Sequence, residues 1–559
     1  MRLLSMQTAR LRTRQSIRLL RRSALHLYPR YRPRKEAAQG GAKFLAKTGG
    51  RFSVLKKNSF VRSAFSVTGV IIVAKLLGFV KQMISAGLFG ATLETDLITL
   101  SQGSLIDVQY LLSQVLLTAF TSLYIHIREQ ESSIAASRFV SNTLRAFSLI
   151  ALAISSLFTL TAPLLARIIA PSYSMEASAR LSTYLRIYAP LLVVFVWIAV
   201  FQALLNSQER FVPGEMVSVN QSLIFIAVAL LFRSRLRERS MILAFFLYAA
   251  YNALYLGFCT RRYWRWSGGR AFTDPAIQKL FRMTGPLLLG YSMIYVNQQV
   301  DKILVSGMGD GAVTALTYGA TLSNLISTFI ISFCGILFTY VTVTISHGET
   351  ERAAQTALTG SKALIFLFLP ISILTACCAE DIVRIVFGRG AFDDAAVAAA
   401  SHSLRGYCIA FVPLVFREVY SRFQYGYQET RRPMLNSTIG IFCNIALSIA
   451  LSKPFGIWGI TFASSFSVTV CGLLNFLTAK RCNANVRLRE LLPALPRLVL
   501  GGLAVYASAS FGLRQLASFS PLPRFVLTAL VSLILYGLLA APMLRKLLQS
   551  CRSILREQS

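Results

Sequence analysis

Acidic side chains are scarce in this sequence. Only 23 Asp and Glu occur among 559 residues, against 58 Lys and Arg, and charged residues make up 14% of the chain. A soluble protein of this length carries roughly 25%. The nine cysteines (Cys259, Cys334, Cys377, Cys378, Cys408, Cys443, Cys471, Cys482 and Cys551) form no C-x-x-C pair and show no paired histidine spacing. That argues against a zinc site and a disulfide framework, and leaves most of them as small hydrophobes within apolar runs. No G-x-x-x-x-G-K-[ST] occurs, so ATP is not held by a P-loop; Gly360-Ser361-Lys362 lacks both the upstream glycine and the order. G-x-S-x-G, H-E-x-x-H and paired loop carboxylates are missing as well, so the sequence reads as a non-enzyme without a resident cofactor. Residues 1–60 lack the apolar stretch and small-residue cleavage site expected of a signal peptide. Short alternating strands, the mark of a β-barrel, are also lacking.

What the chain has instead is apolar length. Hydrophobic residues make up 54% and mean hydropathy is +0.56. Runs long enough to cross a bilayer recur at about 62–84, 97–125, 143–166, 183–206, 215–232, 240–259, 281–304, 314–345, 361–379, 401–426, 434–451, 455–479, 492–511 and 523–544. The expected fold is all-α and polytopic, with about fourteen transmembrane helices in two lobes. The expected layout is a basic tail over 1–60, a first lobe over 61–260, a basic linker over 261–280, a second lobe over 281–480, two further spans over 481–545 and a tail over 546–559. Both lobes open alike. Each starts with a span bearing an embedded charge (Lys75, then Asp301) and follows it with a glycine-rich turn, GLFGA and then GMGDGA. Such internal repetition suits a transporter whose halves rock about a central site.

Lys and Arg in short loops set orientation. With both termini cytoplasmic, the inner loops include TRRYWRWSGGR (260–270) and AKRCNANVRLRE (479–490), whereas SAGLFGATLETD and SGMGDGA fall outside. RSRLRERS (233–240) dissents, since it would lie outside with four arginines. Residues 1–60 hold sixteen Lys and Arg against one acid, Glu36. That tail reads as a cytoplasmic segment touching anionic lipid; an overlong start and a nucleic-acid contact are the competing readings. No nucleic-acid-binding motif supports the last, so no nucleic-acid partner is expected.

The first span, SAFSVTGVIIVAKLLGFVKQMISAGLFG, carries Lys75 and Lys81. Each such charge costs about 2.5–3.5 kcal/mol at a helix centre. Six residues turn a helix through about 600°, so the two lysines point about 120° apart and lie about 9 Å apart along the axis. They fit a broad cavity, with Gly78 between them giving room; snorkelling to the interface is the alternative, more so for Lys81. Positive charge without matching acids suits an anionic cargo such as a lipid-linked diphosphate. Asp96, Asp107, Asp301, Lys302, Arg405, Arg417 and Glu418 are further embedded charges, for which neutralisation between helices is the plainer reading. With no ATP site, a secondary mechanism driven by Na+ or membrane potential is the default.

The stretch from Lys75 to Lys81, Gly90, Thr95-Asp96, RMTGPLLLG (282–290), NQQVDKILVSG (297–307), FGRGAFD (387–393) and RRP (431–433) resemble the MurJ/MviN family of the MOP exporter superfamily. The resemblance implies fourteen helices in two lobes around a central cationic cavity. It also implies movement of undecaprenyl-diphosphate-linked peptidoglycan precursor (lipid II) from the inner to the outer leaflet of the bacterial plasma membrane. Lys75 and Lys81 stand where the family carries two arginines, keeping charge but losing the bidentate fork. By the same resemblance Asp96 and Gly78 join the substrate set, and Asp301, Asn444, Ser448 and Ser464 form an ion site, Ser448 replacing a carboxylate. Asn444 reads equally well as a polar contact between helices. The family's arginines in the second and eighth helices fall here near Gln109 and at Thr321, two cationic contacts fewer. The expected state is a monomer, with peptidoglycan-synthesis enzymes as partners. Alternatives are a flippase for another polyprenyl-linked oligosaccharide, a drug or cation exporter of the MATE branch, and a scaffold acting through the basic tail.

Overall fold

The computed structural model describes residues 54–269, 271–490 and 492–556. Residues 1–53 of the basic tail lie outside them. A boundary at Thr68/Gly69 separates a short first unit from Gly69–Ser559, which holds every site discussed below. Among the described residues all long elements are α-helices: α1 Val54–Phe89, α2 Leu93–Gln130, α3 Ser133–Ile169, α4 Met175–Tyr188, α5 Leu191–Ser207, α6 Val212–Leu236, α7 Ser240–Thr260 and α8 Pro275–Val305. They continue with α9 Ala312–Ser346, α10 Thr350–Cys377, α11 Ala379–Phe387, α12 Asp394–Cys408, α13 Phe411–Gly426, α14 Arg431–Ala479, α15 Leu495–Gln515 and α16 Pro521–Arg556. Side-chain caps fix several starts: Thr92 and Thr95 form a reciprocal capping box at α2, and Ser132, Ser174 and Asp393 cap α3, α4 and α12.

By length and composition nine of the described helical stretches can cross a membrane, or eleven when α4–α5 and α12–α13 each count as one bent span. Two of the nine, Val212–Thr260 and Arg431–Ala479, run to 49 residues. Straight, each would reach about 74 Å, more than twice the roughly 30 Å apolar core. Both fold back. Asn220 Nδ2 in α6 donates to Asn252 Oδ1 in α7 at 3.0 Å, across a break where Arg237 takes φ 47°. Within α14, Asn436 Nδ2 donates to Asn475 Oδ1 at 2.8 Å and Ser467 Oγ to the Gly440 carbonyl at 2.6 Å, across a kink at Gly456. Buried amides pairing across an apolar hairpin satisfy groups that lipid could not.

The apolar core is divided. One cluster draws on α1–α9 with Ile460 added, centred on side chains such as Phe120, Phe139, Tyr188 and Phe195. A second joins α9, α10, α13, α14 and α15 around Phe411, Tyr420 and Phe476. A third ties Ala86 of α1 to Tyr318, Phe387 and Phe392.

Several turns meet at one end of the bundle, and glycine makes their approach feasible. Gly90 (φ +66°) and Gly311 (φ +81°) belong to the two similar glycine-rich turns read from the sequence, and those turns touch: a Cβ on Gly311 would lie 2.2 Å from the Ala91 carbonyl oxygen. FGRGAFD closes the same junction. Gly390 (φ +62°) lies so near α1 that a Cβ would come within 2.1 Å of the Gly87 carbonyl oxygen, which accepts the Ala391 N–H at 3.0 Å. The dissenting RSRLRERS loop reaches this end too. Arg239 lies against Tyr184, whose hydroxyl donates to Glu94 beside the α1–α2 turn. That contact sets Arg239 of the loop near an acid, at the end of the bundle where the α1–α2 turn lies. At the opposite end Asn483 Nδ2 donates to the Thr350 carbonyl (2.6 Å) and the Tyr427 hydroxyl (2.9 Å), joining the α14–α15 connection to the start of α10.

Gly390→Ala combines a left-handed backbone with a backbone clash, so it is expected to lower stability by about 2–5 kcal/mol. Gly69→Ala, on a helix with nothing within 4 Å, is expected to leave stability unchanged or slightly raised. Unfolding of detergent-purified protein measures both; equal transitions for the two variants would contradict the tight junction.

Candidate functional site

Lys81 is the residue around which a chamber forms. It lies on α1, half-buried, with Nζ 5.4 Å from the centre of the Phe225 ring on α6. Among the described residues no carboxylate pairs with it. The chamber it lines has a volume of about 170 Å³. Gln82, Gln102, Gln221 and Lys302 supply polar groups, while Phe225 and Phe245 form apolar wall. Among the described residues no Asp or Glu lines it. An ammonium held beside aromatic faces and amides, with water-accessible volume and no counter-charge, is set up to receive an anion.

The other residues of the expected substrate set do not share this chamber. Lys75 is exposed on α1, nearly two turns before Lys81, and has no partner among the described residues. Gly78 faces α6, where a Cβ would make an ordinary contact 3.9 Å from Ser222 Oγ, and it adds no chamber wall. Asp96 is fully buried at the start of α2, and its carboxylate accepts the Thr314 N–H at 2.7 Å and the Val313 N–H at 3.3 Å. These are orphan donors of the first turn of α9, where negative charge also suits the helix dipole. The Tyr173 hydroxyl, in the loop before α4, donates to the same carboxylate at 3.5 Å. Burial and that neighbouring charge push the Tyr173 phenol well above its ordinary value, so it remains a donor. Asp96 is therefore placed as a tie between α2 and α9.

The four residues expected to bind an ion do converge. Asp301 on α8 is buried, and Ser448 Oγ donates to its Oδ1 at 3.1 Å while Ser464 Oγ donates to Oδ2 at 3.3 Å. Ser448 Oγ also lies 3.2 Å from Asn444 Oδ1, and Asn444 Nδ2 donates to Asn297 Oδ1 at 2.9 Å. A hydroxyl has one proton, so Ser448 can serve one of its two acceptors at a time. Asn297, Asp301 and Ser464 line a second cavity of about 290 Å³. The donor set is oxygen throughout with a single carboxylate, which fits a hard monovalent cation better than a transition metal. No group of three or more His, Cys, Asp or Glu with metal-site geometry occurs among the described residues.

Sequence reasoning passed over Lys302, Gln102, Gln221 and Asn297 as site residues. Each lies within an apolar stretch, and an amide or charge there was the available signal. Gln109 and Thr321 stand apart from the chamber: Gln109 Oε1 accepts from the Tyr248 hydroxyl at 3.3 Å, and Thr321 Oγ1 donates back to the Thr317 carbonyl at 2.8 Å. Neutralisation of Arg417 and Glu418 occurs along α13 itself and not between helices: Glu418 pairs with Arg417 at 2.8 Å and with Arg422 at 3.2 Å.

Comparison with known proteins places this geometry. The model of the family described as "Lipid II flippase MurJ" matches residues 86–526. A probable lipid II flippase MurJ of Rhizobium meliloti (strain 1021) is 23% identical over 516 residues, covering 87% of this chain and 92% of that protein. One from Borreliella burgdorferi is 21% identical, covering 80% and 89%. A solved lipid II flippase MurJ in an inward closed conformation superposes with a TM-score of 0.72 at 18% identity, over 86% of this chain and 99% of its own. An inward-facing MATE transporter of the MOP superfamily follows at 0.61 and 13%, over 76% and 98%. At such identities these structures speak for the fold alone. The family match spans most of the chain, and on it this all-helical, multi-pass membrane protein belongs to the lipid II flippase MurJ family.

Proposed function

We propose that this chain carries lipid II across the bacterial plasma membrane by alternating access, as a transporter and not as an enzyme. The observation that carries the reading is the acid-free chamber holding Lys81. An ammonium without a counter-charge in a membrane-embedded chamber is costly unless an anion visits it, and a diphosphate supplies that anion. A chamber of about 170 Å³ is small beside a saccharide-peptide headgroup, so loading requires the surrounding helices to part.

Fourteen traverses follow if each arm of the two folded-back stretches counts separately, the two bent pairs count once each, and α8 is added. An even number puts both termini on one side, taken as cytoplasmic from the basic loops 260–270 and 479–490. Lys75, exposed on the same helix, draws the anion by longer-range attraction, a weaker effect than direct contact. The Asp301–Asn444–Ser448–Ser464 cluster binds Na+ and couples its gradient to the cycle. The protein works as a monomer beside peptidoglycan-synthesis enzymes. Export of cationic drugs, the alternative that the MATE-like fold raises, is disfavoured by the positive chamber; ethidium efflux lost in Asp301→Asn would favour it.

In cells depleted of their own lipid II flippase, Lys81→Gln is expected to abolish growth and to lower outer-leaflet lipid II at least tenfold, the loss of one charge-assisted hydrogen bond at about 1.5–3 kcal/mol. Lys75→Gln should cost less than Lys81→Gln in the same assay. Undiminished lipid II exposure with Lys81→Gln would remove the basis of this reading. For the cation cluster, Na+ should raise the unfolding temperature of the purified protein more than K+ does, and Asp301→Asn should erase the difference. An equal response to both salts in the parent protein would count against a sodium site.

A further inference from the structure

Lys302 borders both cavities. It lines the chamber of Lys81 on one side and the cavity beside Asp301 on the other. Its Nζ is held by one contact, Asp107 Oδ2 on α2 at 3.3 Å, with both side chains largely buried at 18% and 14% exposure. Asp107 does not depend on that lysine alone. The Gln299 side-chain amide, one turn before Lys302 on α8, donates to the same carboxylate oxygen. Gln299 Oε1 has no hydrogen-bond partner, so this amide has no second contact to break. On the chamber side Nζ rests against Gly103, where a Cβ would stand 3.0 Å from it. The ammonium therefore occupies space that only a glycine leaves open.

Resting on the reading of this chamber as the diphosphate site, we propose that Lys302 is a second cationic contact for the anion, held by Asp107 until the anion enters. A lysine has three donors on a flexible four-carbon stem, so Nζ can swing from one oxygen to another without a backbone change. A diphosphate brings several charged oxygens where Asp107 offers one. When Lys302 leaves, the Gln299 amide still satisfies Asp107, which keeps the exchange from stranding a bare buried carboxylate. Two cations on opposing helices, Lys81 on α1 and Lys302 on α8, then grip the anion from both sides. Because Lys302 adjoins Asp301 in sequence, that grip also pulls on the helix turn that carries the cation cluster.

A purely structural ion pair predicts a different pattern from an exchangeable one, and binding separates them. The full-length protein in detergent is titrated with undecaprenyl diphosphate, and affinity is read for the parent, Lys302→Gln, Asp107→Asn and Lys81→Gln. The exchange predicts opposite signs: Lys302→Gln weakens binding about tenfold or more, whereas Asp107→Asn tightens it severalfold by removing the competitor. A structural pair would make both variants weaker. Binding that is unchanged or weaker in Asp107→Asn overturns the proposal, and that variant decides alone if Lys302→Gln does not fold. Normal binding by Lys302→Gln beside a loss in Lys81→Gln would also overturn it while leaving the chamber assignment standing. Parent-like binding by all three variants would bring down the chamber reading itself.

Discussion

A charge within a lipid-embedded bundle must find an opposite charge, a set of hydrogen-bond donors, or water, and that constraint organises this protein. Asp96 meets the backbone amides that open α9. Asp107 meets Lys302, Glu418 meets two arginines of its own helix, and Asp381 is gripped by Arg524 of α16. Asp301 is met by the hydroxyls of Ser448 and Ser464. Lys81 has an aromatic face and a chamber but, among the described residues, no carboxylate. These acids are thus met within the protein, whereas Lys81, which lines the chamber, has no carboxylate partner among the described residues.

The ties also explain how separate parts of the bundle stay in register. The two glycine-rich turns meet, the FGRGAFD loop closes on α1, and Asp96 caps the helix that follows the second turn. Backbone contacts this close tolerate no side chain, which gives that end of the molecule a fixed geometry. The opposite end is joined by longer polar side chains such as Asn483 and Tyr427. A junction of tight glycine contacts at one end and longer reach at the other suits a structure that must part to admit a large headgroup.

Apolar run length made most of the spans legible from residues alone, because a bilayer of about 30 Å imposes a length on every crossing helix. Val212–Thr260 and Arg431–Ala479, each read from the sequence as two runs, are continuous enough to pass as single long helices, and paired asparagines with the breaks at Arg237 and Gly456 show the folding back. The ion cluster was reached through resemblance, and its four residues do converge. Of the expected substrate set, Lys81 lines the chamber and Lys75, Gly78 and Asp96 do not. Helical angle put Lys75 and Lys81 about 120° apart, yet it could not say which of those directions opens onto a chamber.

What the sequence by itself determined is the class of protein and the places where charge interrupts lipid-length helices, since hydrophobic length and the cost of burying charge are local quantities. Which charge pairs with which was decided by the tertiary structure alone. Asp107 and Lys302 lie 195 residues apart, and Asp96 and Thr314 lie 218 apart. A neutralised charge and a waiting one look alike along a chain; they differ only in what the packing of other helices brings within about 3 Å.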